Sequence, residues 1–180
     1  MELILLNKGA TINHIDDVKK LYHESFPLEE RRDWFDIVNM LNQNHTCYNI
    51  YVIIVEGRFV GFISWWDFSS FRYVEHFAIK EEVRGSGIGG QAIKDFVAMQ
   101  PSAVVLEVEL PSTGELARRR IGFYERHGFK AHADYEYVQP PYASNLPEVP
   151  MMLMRVINNN ETIGIDEIAK QIHRYVYKKG

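Results

Sequence analysis

The chain is poor in the features that mark secreted, membrane-spanning and nucleic-acid-binding proteins. Its 180 residues contain one cysteine, Cys47, which excludes an intrachain disulfide and offers no zinc site. No apolar run approaches the roughly 20 residues of a membrane span, and the start at Met1 has no basic region of the kind that opens a signal peptide. The net charge of −4 argues against nucleic acid or an anionic membrane as the main partner. These absences predict a cytoplasmic protein with no bound metal.

The composition predicts one folded domain over residues 1–180. Apolar residues make up 46% of the chain and aromatic residues 13%, which is enough for a hydrophobic core. Charged residues make up 24%, so disorder is not expected. The length of 180 residues fits one domain, because domains average about 150 residues.

The spacing of apolar residues predicts a mixed order of strands and helices. Strands are expected at 2–6, 47–55, 59–66, 71–79, 103–110, 129–138 and 151–157, and helices at 14–25, 28–42, 87–99, 115–127 and 166–177. Three successive strands before residue 80 imply antiparallel pairing, and the strand–helix–strand unit at 71–110 implies a parallel pair. The predicted fold class is therefore α/β (α+β), with a mixed, mostly antiparallel central sheet and helices on both faces.

A glycine-rich segment, Arg84-Gly85-Ser86-Gly87-Ile88-Gly89-Gly90, follows the strand that ends at Ile79 and opens the next helix. Glycines at a helix start let backbone N–H groups approach an anion without interference from side chains. The helix N-terminus adds a partial positive charge, so the segment predicts a phosphate or pyrophosphate site.

Two cofactor interpretations fit these glycines. Gly85, Gly87 and Gly90 satisfy the dinucleotide pattern G-x-G-x-x-G, with Glu107 near the distance expected of a ribose ligand. Against that interpretation, the charged segment 80–84 separates the strand from the first glycine, and only one strand–helix–strand unit is present. Arg84, Gly87 and Gly89 satisfy a second pattern, R-x-x-G-x-G.

The second pattern resembles the acyl-CoA motif of the GNAT superfamily of N-acetyltransferases. A downstream segment, Phe123-Tyr124-Glu125-Arg126-His127-Gly128-Phe129, is similar to the F-Y-x-x-x-G-F segment of the same family. The order and separation of the two motifs agree with the family, with one strand between them. The resemblance implies the GNAT fold, in which the strands on either side of the glycine-loop helix splay apart around the pantetheine arm.

The resemblance also implies which residues bind acetyl-CoA. Backbone groups of one strand would pair with the pantetheine arm, and those residues are Phe77, Ala78 and Ile79. The pyrophosphate would lie against the loop and the helix start, at Val83, Arg84, Gly85, Ser86, Gly87, Ile88 and Gly89. One departure from the family is Ala117, where many members carry an asparagine that contacts the pantetheine. The run Arg118–Arg120 is either a contact for the CoA 3′-phosphate or a solvated helix face.

Two residues are the catalytic candidates. Tyr124 matches the family position of a tyrosine that protonates the leaving thiolate, and a phenol with a pKa of about 10 is protonated at neutral pH. The alternative is that Tyr124 only packs the helix against the sheet. Glu75 is the candidate base that deprotonates the amine through water, and its alternatives are a solvent-facing position or an ion pair with Arg72. His76 is the secondary candidate base, on the opposite face of the strand.

These observations predict an N-acetyltransferase that transfers the acetyl group of acetyl-CoA to a primary amine by direct attack in a ternary complex. The acceptor is a small molecule or a peptide, and a homodimer through the final helix is a further possibility. Aromatic and acidic residues suited to a cationic amine are Trp34, Glu29, Glu30, Tyr135, Tyr137, Tyr142, Trp65 and Trp66. The alternatives are a GNAT-fold sensor that binds CoA without catalysis, and a NAD(P)-dependent oxidoreductase.

Overall fold

The computed structural model describes residues 1–6, 14–43, 47–157 and 163–179. The chain groups into two compact units. The first comprises Met1–Asp67 and Val74–Phe96, and the second comprises Phe68–Tyr73 and Val97–Gly180. The expectation of one domain over residues 1–180 stays a prediction.

Hydrogen-bonded strands in the order β1-β2-β3-β4 form the sheet of the first unit. Their bounds are β1 Glu2–Leu5, β2 Tyr48–Val55, β3 Arg58–Asp67 and β4 Phe71–Ile79, of which the residues from Val74 onward belong to this unit. β1 and β3 each pair antiparallel with β2. The β2–β3 turn places Glu56 and Gly57 at positive φ, which is the hairpin geometry that the segment Glu56-Gly57-Arg58 predicts. The Lys80 N–H donates a hydrogen bond to the Val60 carbonyl at 2.8 Å, which links the end of β4 to the start of β3.

The helices of the first unit are α1 Ile15–Ser25, α2 Trp34–Asn42 and α3 Ile88–Ala98. The prediction of one helix over 28–42 is wrong, because a 3-10 turn at Leu28–Glu30 is followed by extended backbone at Arg31. The Asp33 carboxylate accepts a hydrogen bond from the Phe35 N–H at 2.8 Å, so it caps a new helix and does not continue the old one.

Three strands of the second unit pair antiparallel with a fourth. β8, Val149–Val156, is bonded to β5 Ala103–Glu109, β6 Lys130–Ala131 and β7 Tyr137–Gln139. The predicted single strand over 129–138 is wrong in its middle part. The Tyr135 N–H donates to the His132 carbonyl at 3.1 Å, and this turn divides the segment into β6 and β7.

The helices of the second unit are α4 Glu115–Arg126 and α5 Ile165–Gln171. α5 continues as a π-helical turn at Ile172–Val176, so the predicted helix over 166–177 does not keep α-helical geometry to its end. Ile168, Ile172 and Val176 are fully buried within this one chain, and the homodimer stays a prediction.

Within the residues that the structure describes, no helix is long and apolar enough to cross a membrane. Over the same residues, no group of three or more histidine, cysteine and acidic side chains has a geometry that would hold a metal ion.

Candidate functional site

The loop between β4 and α3 takes a left-handed backbone conformation at two glycines. Gly85 has a φ of 79° and Gly87 a φ of 86°. A Cβ atom at either position would meet nothing within 4 Å, so glycine is required by the backbone conformation and not by lack of space. The Gln91 N–H donates to the Gly87 carbonyl at 3.0 Å, which makes Gly87 the N-cap residue of α3. The first N–H groups of α3 have no carbonyl within the helix to bond, and this end of the helix suits a phosphate group.

Side-chain bonds within the loop hold it against the end of β4. The Arg84 Nε donates to the Ile79 carbonyl at 2.9 Å, and the Ser86 Oγ donates to the Val83 carbonyl at 2.6 Å. A 3-10 turn at Glu81–Val83 separates β4 from the first glycine. The dinucleotide fingerprint needs its first glycine in the tight turn directly after the strand, so this turn counts against the NAD(P) interpretation.

The end of β4, which is predicted to pair with the cofactor, lies close to β3 because β3 has a glycine there. Ala78 is buried in β4, and Phe77 and Ile79 on either side of it are half-buried. A Cβ atom at Gly61 in β3 would lie 2.5 Å from the Ala78 carbonyl oxygen, which is closer than unbonded atoms approach. Gly61 therefore permits the close spacing of β3 and β4 at the residue whose backbone is predicted to pair with acetyl-CoA.

Glu75 forms a buried ion pair with Arg32. The Arg32 Nε donates to Glu75 Oε1 at 2.8 Å, and the Trp66 Nε1 donates to Glu75 Oε2 at 2.7 Å. The side chains of Arg32 and Glu75 are 7% and 0% exposed. The solvent-facing alternative for Glu75 is therefore wrong, and Arg32 is an ion-pair partner of Glu75. Arg72 donates to the Ser102 Oγ.

His76, next to Glu75 in β4, is buried. Its Nδ1 lies 3.2 Å from the Ser64 Oγ, and its Nε2 lies 2.8 Å from the Glu30 carbonyl oxygen. The rings of Tyr22 and Phe26 contact it edge-on, with centroids 4.8 and 4.7 Å away. Burial lowers the pKa of His76 below its usual value, so the ring is neutral at neutral pH. The Nε2 contact holds the segment at Glu30 to the sheet, and the Nδ1 contact links β4 to Ser64 in β3.

Tyr124 lies near the end of α4 in the second unit and is buried. The N–H groups of His127 and Phe129 both donate to its carbonyl, at 2.9 and 3.1 Å, and Gly128 between them has a φ of 88°. This arrangement is a glycine C-cap and agrees with the helix end that the sequence predicts. Burial raises the pKa of Tyr124 to about 12, although Arg120 opposes the rise. The phenol is consequently protonated across the physiological range.

The arginine run on α4 is engaged in local contacts. The Arg118 Nη1 donates to the Pro111 carbonyl at 2.9 Å, Arg119 pairs with Glu115, and Arg120 pairs with Glu109. All of these contacts hold α4 to the residues around its own start and to β5. They favour the solvated-helix interpretation of the run over a contact with the 3′-phosphate.

A carboxylate surrounded by tyrosines lies in the second unit and was not among the predicted catalytic residues. Glu107 in β5 accepts hydrogen bonds from the hydroxyls of Tyr137 and Tyr177. The Tyr177 hydroxyl also lies 3.4 Å from that of Tyr73 and 3.5 Å from that of Tyr142. Tyr137 and Tyr142 carry the sequence signal of aromatic residues near the late loop, but nothing local in the sequence joins Tyr177 to Glu107.

The structure brings most of the predicted site residues together in the first unit. Glu75, the strand residues Phe77–Ile79 and the loop 83–89 follow one another along β4 and into α3. Tyr124 belongs to the second unit. Of the aromatic residues predicted to contact the acceptor, Trp65 is a core residue, stacked on Tyr51 with ring centroids 5.9 Å apart.

Comparisons with known proteins agree on one family. A family model described as an acetyltransferase (GNAT) domain matches residues 46–131. A solved structure of a GNAT-family protein from Bacteroides thetaiotaomicron is 32% identical, with 100% of both chains covered and a TM-score of 0.91. The fold class predicted from the sequence, a mixed and mostly antiparallel sheet with helices, is confirmed by this match.

Two further matches are more distant. YjbC of Bacillus subtilis (strain 168), which is classed with the acetyltransferases, is 26% identical over 123 residues. That match covers 68% of this chain, and the chain spans 61% of the length of this curated relative. The structure of an aminoglycoside 6′-N-acetyltransferase complexed with coenzyme A has a TM-score of 0.63 at 17% identity, covering 91% of this chain and 100% of that one. At this identity the likeness shows the fold alone.

Proposed function

Because the chain belongs to the GNAT family of acetyltransferases, we propose that it transfers the acetyl group of acetyl-CoA to a primary amine. The reaction is direct attack in a ternary complex, and the acceptor is a small molecule or a peptide. The observation that carries the proposal is the pair of left-handed glycines, Gly85 and Gly87, at the start of α3. They put no side chain in front of the helix N-terminus, where a phosphate-bearing ligand such as acetyl-CoA would bind.

The residues present fit acetyl-CoA. The loop 83–89 offers backbone N–H groups and no bulky side chain at its two left-handed positions. The strand residues Phe77, Ala78 and Ile79 precede the 3-10 turn that comes before the glycines, and they would pair with the amides of the pantetheine arm. Acetyl-CoA supplies the thioester, whose C–S bond breaks as the new amide C–N bond forms and CoA leaves as a thiolate.

Tyr124 is proposed as the acid that protonates the leaving sulfur. Its pKa of about 12 keeps the proton on the phenol at neutral pH, so the donor form is fully populated. A free thiol has a pKa of about 8.5, which is below that of Tyr124. The phenol therefore gives up its proton only as negative charge develops on the leaving sulfur. The proton that the amine loses goes to the proposed base, and the phenol regains a proton from solvent, so the overall exchange is neutral.

Glu75 remains the proposed base, and its contacts define what the role requires. Both carboxylate oxygens already accept a bond, one from Arg32 and one from Trp66. Each carboxylate oxygen has a second lone pair, so a water molecule that relays the proton would have to bond there. His76 is less suited to the role of base, because both of its ring nitrogens already contact oxygen atoms in the fold.

The experiment that tests the proposed cofactor is a thermal-shift comparison of acetyl-CoA, CoA, NAD and NADPH. A ligand at 100 times its dissociation constant stabilises the folded protein by about 2.7 kcal/mol, which is roughly 5–10 °C for this chain length. We expect a shift with acetyl-CoA and CoA. A shift with NAD or NADPH alone would overturn the proposal.

A matched pair of variants ties the shift to the glycine loop. In Gly87→Ala, a Cβ meets no atom but forces a residue into φ near 86°, which costs about 1–2 kcal/mol. Gly57→Ala carries a similar strain at a φ of 73° in the β2–β3 turn and also meets no atom. We expect Gly87→Ala to lose most of the acetyl-CoA shift, and Gly57→Ala to keep it. Equal shifts in the two variants would mean that the loop does not bind the ligand.

A further inference from the structure

The guanidinium of Arg32 contacts both a carboxylate and an indole ring, and all three groups belong to the first unit. The Arg32 Nε donates to Glu75 Oε1 at 2.8 Å, and the Arg32 Cζ lies 5.4 Å from the centre of the Trp66 ring. The Trp66 Nε1 donates to the other carboxylate oxygen at 2.7 Å. Because a guanidinium is planar, a bond to a carboxylate and a contact with an aromatic face together fix its orientation beside Glu75.

The backbone that carries Arg32 is held by contacts of its own. The Arg32 N–H donates to the Tyr22 hydroxyl at 2.6 Å, and that hydroxyl lies 3.5 Å from the Arg32 carbonyl oxygen. Two residues earlier, the Glu30 carbonyl oxygen lies 2.8 Å from His76 Nε2. Tyr22 and His76 are both buried. The segment 30–32 is therefore anchored on α1 and β4 by bonds other than the ion pair itself.

Arg32 places a positive charge next to Glu75, whereas the other titratable side chains that interact with Glu75 electrostatically are Tyr22 on α1, Tyr48 on β2 and His76 on β4. Burial raises the pKa of both tyrosines and lowers the pKa of His76, so all three are neutral at neutral pH. The Glu75 side chain is 0% exposed, so water does not stabilise its charge. A guanidinium bonded to it supplies that stabilisation.

We propose that Arg32 is a positioning residue for the acetyl transfer. Its guanidinium keeps the Glu75 carboxylate ionised and oriented, and it thereby sets the lowest pH at which the protein is active. In the step that this supports, a water molecule bonded to Glu75 takes a proton from the acceptor ammonium and passes one of its own protons to the carboxylate, which later releases it to solvent. This inference rests on the proposed function, in which Glu75 is the base.

The Trp66 indole N–H reports on the ionisation of Glu75, because it donates to Oε2. Its ¹H–¹⁵N NMR signal is assigned by its loss in Trp66→Phe and is then followed as the pH falls from about 8 to about 5. We expect no titration in the parent protein, since a glutamate has an ordinary pKa of about 4.3 and a bonded guanidinium lowers it further.

Two variants separate the charge of Arg32 from its hydrogen bond. Arg32→Gln keeps an N–H donor and removes the charge, and we expect the Trp66 signal to titrate within this pH range, because burial raises the pKa of a carboxyl group that has lost its counter-charge. Arg32→Lys keeps the charge, and we expect no titration. His76 is present in both variants, so a titration seen with glutamine and not with lysine reports the charge at position 32.

The second measurement is the pH dependence of kcat/KM with one amine. Dividing each variant's value by that of the parent cancels the titration of the amine itself. For Arg32→Gln the ratio should be constant above about pH 8 and should fall about tenfold per pH unit below the NMR midpoint. For Arg32→Lys it should stay flat. The control is Arg31→Gln, since the Arg31 Nη1 donates to the His23 carbonyl at 3.3 Å, and both readouts should match the parent.

The outcomes separate this inference from the proposed function. Absence of an acetyl-CoA shift, or of thiol release that depends on amine, contradicts the proposed function, and the NMR titration is read without turnover. A Trp66 signal that titrates in the parent, or that does not titrate in Arg32→Gln, overturns the role of Arg32. A titration in Arg32→Gln with a flat kcat/KM ratio overturns it as well, because Glu75 is then not the base. The parent titration needs no variant, so the inference stays open to refutation even where Arg32→Gln does not fold.

Discussion

The buried ion pair between Arg32 and Glu75 should be one of the most sensitive positions in the chain. Removing one partner of a buried pair leaves an uncompensated charge and typically costs about 3–5 kcal/mol. Arg32→Met removes the guanidinium that donates to Glu75 Oε1 and keeps the Trp66 N–H that donates to Oε2. Glu75→Gln turns one carboxylate oxygen into an NH₂ group that faces a donor, either the guanidinium or the indole N–H. For a chain of this length, we expect each single change to lower Tm by about 6–20 °C.

The double variant, which combines Arg32→Met with Glu75→Gln, distinguishes a coupled pair from two independent losses. With the guanidinium gone, the amide oxygen of the introduced glutamine is free to accept from the Trp66 N–H, so the donor conflict disappears. The free energies of unfolding from urea titration should therefore be less than additive, with a coupling of about 0.5–3 kcal/mol. The control is Lys20→Met, which breaks the Lys20–Glu24 pair whose side chains are 78% and 58% exposed. That change should cost less than about 0.5 kcal/mol.

Two results would refute this reasoning. One is a loss below about 1 kcal/mol for both single variants, which would mean that the pair is hydrated in solution. The other is additivity within about 0.5 kcal/mol, which would mean that the two side chains act independently. The experiment also bears on catalysis, because a loss of activity in Glu75→Gln counts toward the base role only at temperatures where the variant is folded.

Three further changes have expected results of their own. Tyr124→Phe should lower kcat by about 100-fold with little change in the KM for acetyl-CoA. The loss should be the same from about pH 7 to about pH 9.5, because a pKa of about 12 keeps the phenol protonated throughout. A loss that fades within this range would contradict the acid role. Gly61→Ala should destabilise the protein by about 1–3 kcal/mol and weaken acetyl-CoA binding, since its Cβ would lie 2.5 Å from the Ala78 carbonyl oxygen. The control is Gly164→Ala, whose Cβ meets nothing within 4 Å. Equal stabilities of the two variants would contradict this prediction. The lowered pKa of His76 means that the unfolded chain binds its proton more readily, so the stability that its neutral burial contributes is present above about pH 6.5 and is lost as the pH falls below it. His76→Gln should flatten that acid slope, measured by urea unfolding from about pH 5 to about pH 7, and an unchanged slope would assign it to other groups.

Local patterns in the sequence were enough to predict the elements that are set by local chemistry. The strand at 71–79 and the loop that follows it have the bounds and order that the apolar run and the glycines predict. The turn at Gly57 and the helix end at Gly128 depend on left-handed glycine, which a sequence displays directly.

The errors arose where a distant contact decided the local structure. Arg32 lies 43 residues from Glu75, and bringing its side chain to β4 requires extended backbone where the spacing of apolar residues favours a helix. Tyr177 lies 70 residues from Glu107, and the π-turn that brings them together has no signature in hydrophobic spacing. Partners of buried charges are set by the tertiary fold, so a pattern in one segment cannot name them.

The central claim is that the chain acetylates an amine, and the most direct test is release of free thiol from acetyl-CoA in the presence and absence of acceptor amines. We predict that thiol release depends on the added amine, is lost with the Gly87→Ala variant, and falls about 100-fold with Tyr124→Phe. If acetyl-CoA binds and stabilises the protein but no amine in a broad panel releases thiol, the account is contradicted. The chain would then be a CoA-binding sensor with the GNAT fold.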